Sequence, residues 1–224
     1  MSLPLVLLGF LQSQNYPDFQ VLHLDSPQSS PLFLHTMSEQ NRFMAIIDSN
    51  LDVQWHVSSS HMGLDFKVNQ NYLTYYNKIE GSWILANQMM NEVDTLMCEG
   101  PYVADYHDIQ ILENGNYLLQ AYDSSFVDMS IIIDGGQSVA WITGILVIQM
   151  FDINDELISE WNAWDHLDIS QYTNLNLQSD AIEWMHGNSI EWVGNNHILV
   201  SNRTSNEILK IDLQTGEVMW HIGG

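Results

Sequence analysis

Two short patterns alternate along this chain, and their alternation constrains the fold more than any other feature. The first is an apolar run, an Asp-led turn and a second run ending in tryptophan. It occurs as MAIIDSNLDVQWHV with Asp48 and Trp55, VIQMFDINDELISEWNA with Asp152 and Trp161, and ILKIDLQTGEVMWHI with Asp212, Gly216 and Trp220. Asp-to-Trp spacings of 7, 9 and 8 residues are what turns of different length leave between paired strands. ILANQMMNEVDTL is a weaker copy. The second pattern opens with histidine: His61 begins HMGLDFKVNQNYLTYY, His107 begins HDIQILENGNYLLQAY, and His186 begins HGNSIEWVGNNHILVSN. Each reads as strand, Asn/Gly turn, strand.

Joined in order, the two patterns give four antiparallel strands per repeat. The repeat starts are 46 and 79 residues apart, the longer gap holding insertions near Asp123–Gly136 and Asp168–Asp180. Four-stranded units at about 40–50 residues are the signature of β-propeller blades. A sandwich is the competing all-β architecture, but it gives no reason for histidine to recur at one place. The expected fold is therefore all-β: a partial β-propeller over residues 16–224 with three to four blades present. Helix is expected to be scarce, with one turn at Ser179–Trp184. The first strand of each blade borders the central channel, so His61, His107 and His186 are expected to converge at its mouth.

Charge removes several classes of function. The 224 residues include 28 acids against 5 bases, a formal charge of −23. Such a chain will not track a phosphate backbone or an anionic membrane, so neither nucleic acid nor membrane is expected as a partner. The single cysteine, Cys98, precludes a disulfide framework or a thiolate zinc site within the chain. Leu3–Leu11 (LPLVLLGFL) has the length of a secretory h-region, followed by polar Gln12–Asn15. No basic stretch precedes it, so a buried strand or a late gene start competes with the reading of residues 1–15 as a signal-peptide remnant. The expected location is periplasmic or secreted.

Two motifs carry chemistry. Asp105-Tyr106-His107-Asp108-Ile109-Gln110 leads into Leu112-Glu113-Asn114-Gly115-Asn116. Trp184-Met185-His186-Gly187-Asn188-Ser189-Ile190 leads into Ile198-Leu199-Val200-Ser201-Asn202-Arg203, and the chain closes on Trp220-His221-Ile222-Gly223-Gly224. Together they resemble the bacterial arylsulfate sulfotransferases, six-bladed propellers of the periplasm, over roughly residues 40 to 224. The resemblance implies sulfuryl transfer from a phenolic sulfate ester to a phenolic acceptor through a sulfohistidine, with no nucleotide or other cofactor. Its partners would be small aromatic sulfate esters and phenols. Carried over by motif, the resemblance makes His107, His186 and Arg203 catalytic and Asn188 substrate-binding. It assigns the nucleophile to a later His-Asp motif beyond residue 224, which would leave this chain inactive alone. The residues themselves agree with the anion-binding part. Arg203 is one of two arginines in a strongly acidic chain, and its forked donors suit a tetrahedral oxyanion.

Other features have plainer readings. Trp55, Trp161 and Trp220 are expected in the core, Asn114-Gly115-Asn116 as turn chemistry, and Asp165-His166 as a loop cap, with a place on the channel rim as the alternative. His61 is expected to be structural. Asn202-Arg203-Thr204 fits a glycosylation acceptor, but a glycan would cover the proposed arginine. A three-histidine metal site is a competing use of the repeat, with no His-x-His pair to support it. The alternative function is a non-catalytic propeller that binds an anionic ligand or protein partner through its channel face. An open partial ring leaves blade edges unpaired, so aggregation or dimerisation is expected of the isolated chain.

Overall fold

A computed structural model of the chain describes residues 19, 20, 22, 30–37, 42–58 and 65–224. The segment 1–15 and His61 lie outside the described residues. The chain divides into two compact units, residues 1–62 and 63–224.

Among its described residues the first unit forms an antiparallel sheet, ordered β1 (Leu32–Met37), β2 (Arg42–Ile47) and β3 (Val53–Ser58). Strand β2 is apolar from Phe43 to Ile47 and buried throughout that run. The turn into β3 is built by Asp48, whose Oδ1 accepts the backbone N–H groups of Asn50 and Asp52 at 2.8 and 3.0 Å. An aspartate that caps its own turn in this way explains why the motif begins with Asp.

The second unit holds three sheets, each a meander of strands consecutive in the chain. One is β4 (Lys67–Asn69), β5 (Tyr72–Asn77), β6 (Ser82–Ala86) and β7 (Glu92–Leu96). The next is β8 (Ala104–Ile111), β9 (Tyr117–Val127), β10 (Ala140–Phe151) and β11 (Leu157–Asn162), with β12 (Ala181–Glu183) added parallel to β10. The last is β13 (Gly187–Trp192), β14 (His197–Asn202), β15 (Glu207–Asp212) and β16 (Val218–Gly223). These are β-propeller blades, all-β and four-stranded as the repeats require. The Asp turn recurs: Asp152 accepts from Asn154 and Glu156, and Asp212 from Gln214 and Thr215. In the weak copy Asn87 performs the same task for Met89 and Asn91. Each of these turns then carries one residue at positive φ: Leu51, Met90, Asp155 and Gly216.

Alternation along the strands fills the spaces between adjacent blades. Trp83, Leu85, Leu96, Ile109 and Leu119 form one core, and Ile142, Ile148, Trp161, Ile198, Leu209 and Ile211 belong to a larger one. Each such side chain contributes about 1.5–3 kcal/mol of transfer free energy before conformational entropy is counted. The innermost strands are stitched side to side. Asn69 donates to the Ile109 carbonyl and accepts from the Ile111 N–H, while Asp108 Oδ2 accepts from Ile190 N–H at 2.7 Å. Gln110 accepts from the Trp192 N–H in the same direction.

Three expectations need correction. Ser179–Trp184 contains strand β12, held by Trp141 N–H to the Asp180 carbonyl and Trp184 N–H to the Thr143 carbonyl. Helix occurs elsewhere, as α1 (Ala163–His166) and two single 3₁₀ turns. Of the three repeated tryptophans only Trp161 is fully buried, because the next blade's turn covers it and accepts its indole N–H at the Gly216 carbonyl. Trp55 is half-buried, and Trp220 is 40% exposed on β16, an end strand that no described sheet covers.

Candidate functional site

His107 sits in a pronounced bulge. Ala104 pairs with Ala121 and Ile109 with Leu119, so residues 105–108 of β8 stand opposite Gln120 alone. Asp105 holds this loop of strand together. Its Oδ1 accepts the His107 backbone N–H at 3.0 Å, meets the His107 ring Nδ1 at 2.7 Å, and accepts the Gln120 amide at 2.9 Å. The carboxylate thereby fixes the ring with Nδ1 as donor, leaving Nε2 for a ligand. Tyr106 stacks on the same ring at a centroid distance of 4.4 Å.

Asp108, the next residue of that motif, faces the other way. Lys67 Nζ donates to its Oδ1 at 2.7 Å and to Asp65 at 2.8 Å. Burial pushes the Asp65 carboxyl up to about 6, opposed by Lys67 and assisted by Asp108. Burial acts to lower the Lys67 ammonium, but the two carboxylates outweigh it and the net shift is upward. This lysine is therefore a structural cation joining β4, β8 and β13, already neutralised by two acids.

His186 is placed by backbone geometry. It follows β12 and adopts φ +59, a left-handed conformation that a non-glycine residue takes only when its surroundings enforce it. The enforcing contacts are visible. Gly144, itself at φ +64 in a bulge of β10, accepts the N–H groups of Met185 and His186 at its carbonyl. The following turn then reaches back, with Arg203 N–H to the His186 carbonyl and Thr204 N–H to the Met185 carbonyl. Gly187 is required by space, since a Cβ there would lie 2.7 Å from Gln120 Oε1 and 2.8 Å from Leu146 Cδ1.

The two histidines meet. Their rings are edge to face at 5.1 Å between centroids, and Tyr122 lies tilted against His186 at 5.8 Å. The Tyr122 hydroxyl donates to the Gly187 carbonyl, and burial, with Asp105 nearby, pushes that phenol far up. It remains a neutral donor. His186 Nδ1 lies 2.7 Å from Glu183 Oε1, while its Nε2 is buried and without a partner among the described residues. Glu183 Oε2 accepts from Thr204 Oγ1 at 3.1 Å and from Arg203 Nη2 at 3.4 Å. The His186 hydrogen bond does most to hold the Glu183 carboxyl below its ordinary value, against burial, the next largest influence, which acts the other way.

Of the expected site residues, His107 and His186 are therefore in contact and Arg203 is joined to His186 through Glu183. Arg203 lies in the turn after β14 rather than within the strand, and its side chain is 58% exposed. Asn188 is the unpaired residue of a bulge between Gly187 and Ser189, exposed and without a side-chain partner among the described residues. His166 stacks flat on Trp161 at 5.5 Å and presses on Gly216, a packing role at the last residue of helix α1 rather than a loop cap. Asn202 is 4% exposed, which removes the glycosylation reading. Burial pushes the Cys98 thiol up to about 12, so it is not a nucleophile at neutral pH. Among the described residues no three His, Cys, Asp or Glu side chains are grouped to hold a metal ion.

Asp105, Glu183 and Tyr122 were not singled out from sequence. Asp105 had a local cue, lying two residues before His107 on a strand and so on the same face. Glu183, three residues before His186, had none, because its geometry depends on the pairing of β12.

Among known proteins, the model of the arylsulfotransferase (ASST) family matches residues 20–224. No curated protein matches the chain. Similar solved structures include glutaminyl cyclase from Myxococcus xanthus, at 13% identity and a TM-score of 0.43, covering 82% of this chain and 62% of that one. BamB from Moraxella catarrhalis is similar at 13% identity and 0.42, covering 87% of this chain and 50% of that one. The chain thus spans less than two thirds of the length of either protein. A match that takes in both histidine motifs and every described blade is decisive: the chain belongs to the arylsulfotransferase family.

Proposed function

We propose that the His107–His186 cluster is the sulfuryl-binding part of an aryl-sulfate sulfotransferase site. The observation that carries the reading is the pair of imidazoles at 5.1 Å, each with Nδ1 tied to a carboxylate at 2.7 Å. Each ring is then left with Nε2 to direct at an oxygen of a bound sulfate. Arg203 leaves its long, exposed pairing with Glu183 to add a forked pair of donors, and the free Asn188 amide adds another.

In the reaction, a histidine nitrogen attacks the sulfur of ArOSO3−. The N–S bond forms as the S–O bond to the phenol breaks, releasing ArO−. A second phenol then attacks the same sulfur, the N–S bond breaks, and the acceptor's proton is lost. Splitting the transfer through a covalent intermediate replaces one harder bimolecular step with two easier ones. Donors aimed at the sulfuryl oxygens lower both barriers by meeting the charge that gathers there. The resemblance assigns the nucleophile to a later histidine, so His107, His186, Arg203 and Asn188 take binding and charge neutralisation. Residues 1–224 alone are expected to bind the ester without turning it over. The leading apolar segment supports export to the periplasm or beyond.

The test is calorimetric titration with 4-nitrophenyl sulfate. Arg203→Ala and His107→Ala should each weaken binding by about tenfold or more, the value of one charge-assisted hydrogen bond. Unchanged affinity in both variants would sink the assignment. A second reading, a non-catalytic propeller that binds an anion or partner, is favoured by Arg203 being turned toward Glu183. Release of 4-nitrophenol in the presence of a phenol acceptor, measured on a chain that also carries the later histidine, separates the two.

A further inference from the structure

The blade that carries His107 extends further than its neighbour. Strands β9 and β10 run to 11 and 12 residues, against six each for β14 and β15. A bulge between Ile142 and Ile145 divides the blade proper from this extension, which pairs Ala140–Ile142 with Ser125–Val127 and takes β12 along its other edge. Alternation gives the small sheet two faces. Ala140, Ile142 and Ile182 are buried in the larger core, with Val127 packed against them. The opposite face therefore carries Phe126, Trp141, Thr143, Ala181 and Glu183.

Two of these residues are aromatic and in contact. Phe126 and Trp141 are directly opposed in the ladder, their rings tilted at 46° with centroids 4.4 Å apart. Phe126 is 70% exposed and Trp141 half-buried, beside the small side chain of Ala181. An exposed phenylalanine by itself needs no explanation. A pair of rings held in fixed register with a cluster of anion donors does.

That register comes from β12. Glu183, whose carboxylate meets His186, Arg203 and Thr204, is paired with Thr143, two residues along β10 from Trp141. Two residues of strand advance the chain by about 7 Å. The Glu183 side chain lies over Gly144, where a Cβ would stand 3.3 Å from its Cγ. The aromatic pair and the donors around Glu183 thus lie along one sheet face, within the span of a small organic anion. A ligand that meets both parts joins an anionic group to a flat apolar body. Aromatic rings favour another ring there, through offset or edge-to-face contact, and an alkyl chain lacks that geometry.

We propose that Phe126 and Trp141 form the wall that holds the aromatic body of the sulfate ester, and so select aryl over alkyl sulfates. The proposal rests on the sulfuryl-binding reading of His107, His186 and Arg203, and adds what recognises the rest of the substrate.

The experiment is calorimetric titration of the chain with 2-naphthyl sulfate, hexyl sulfate and inorganic sulfate. The unaltered protein should bind 2-naphthyl sulfate most tightly. Phe126→Ala and Trp141→Ala should each weaken that ligand by about two- to tenfold and leave inorganic sulfate unchanged. Trp141→Tyr, which keeps a ring at the position, should recover most of the loss, and it serves in place of the alanine variant should that one fail to fold. Unchanged 2-naphthyl sulfate binding in both alanine variants, an equal loss for inorganic sulfate, or hexyl sulfate binding as tightly as the aryl ester would each overturn the proposal. Binding of none of the three by the unaltered protein would instead overturn the sulfuryl-binding reading, and the proposal with it.

Discussion

His107 lies in a bulge of β8 and His186 immediately before β13, the first strands of successive blades, and the chain restrains them by opposite means. Around His107 the restraint is a side chain: Asp105, 4% exposed, gathers three hydrogen bonds and holds four residues of β8 against one of β9. Around His186 the restraint is backbone: φ +59, two N–H groups on the Gly144 carbonyl, and a turn folded back onto residues 185 and 186. Its carboxylate partner, Glu183, is 43% exposed. The first histidine is thus tied to the stability of its blade. The second is tied to local geometry, with an acid that solvent and ligands can reach.

The largest effect expected from this contrast is at Asp105. Asp105→Ala removes three accepted hydrogen bonds and leaves the buried Gln120 amide unmet, costing about 3 kcal/mol in urea unfolding. A loss under about 1 kcal/mol would show that the bulge is held by something else. Next is Gly187→Ala, which tests the backbone restraint. The added methyl must displace Gln120 or Leu146, and overpacking of this kind costs about 1–3 kcal/mol. His186 should also lose its edge contact with His107, read as a changed ring shift by NMR.

The smallest effect is at Glu183. Glu183→Gln should cost well under 1 kcal/mol at pH 7, because solvent screens an exposed pair. Its signature is in the pH profile. A carboxyl held below its ordinary value stabilises the fold above that value, and the contribution disappears as the pH falls and the carboxylate is protonated. Thermal melts from pH 7 down to about 3 should therefore show the unaltered protein losing its small advantage over the variant. Parallel profiles would mean that Glu183 contributes nothing to folding.

The blades were legible because their turns are local chemistry. Asp48, Asp152 and Asp212 cap the N–H groups that follow them whatever the rest of the fold does, and Asn87 substitutes in the weak copy. The convergence of His107 and His186 was legible for the same reason, since it follows from the repeat. What was not legible depends on distant partners. The sequence SDAIEW has no strand pattern of its own and becomes β12 because β10 presents a free edge to it. Nothing in DYHD announces a bulge, for it contains no glycine or proline and is held by Asp105 and Gln120. Trp161 and Trp220 end equivalent strands, yet only the first is covered by a neighbour's turn.

The pairing of β12 with β10 has a consequence for how such a protein can change. Trp141, Ile142 and Thr143 are in register with Ala181, Ile182 and Glu183, so the chain is re-anchored to its blade just before the histidine. Residues 167–180 form a loop whose two ends are fixed independently, by α1 on one side and by this short parallel ladder on the other. That loop touches the histidine's surroundings at two places, where the Asn174 amide donates to the Thr204 and Ser205 carbonyls and where Tyr172 lies edge-on to Trp184. The loop and the paired histidines can therefore diversify in part separately, since the ladder that re-anchors the chain before His186 does not pass through the loop.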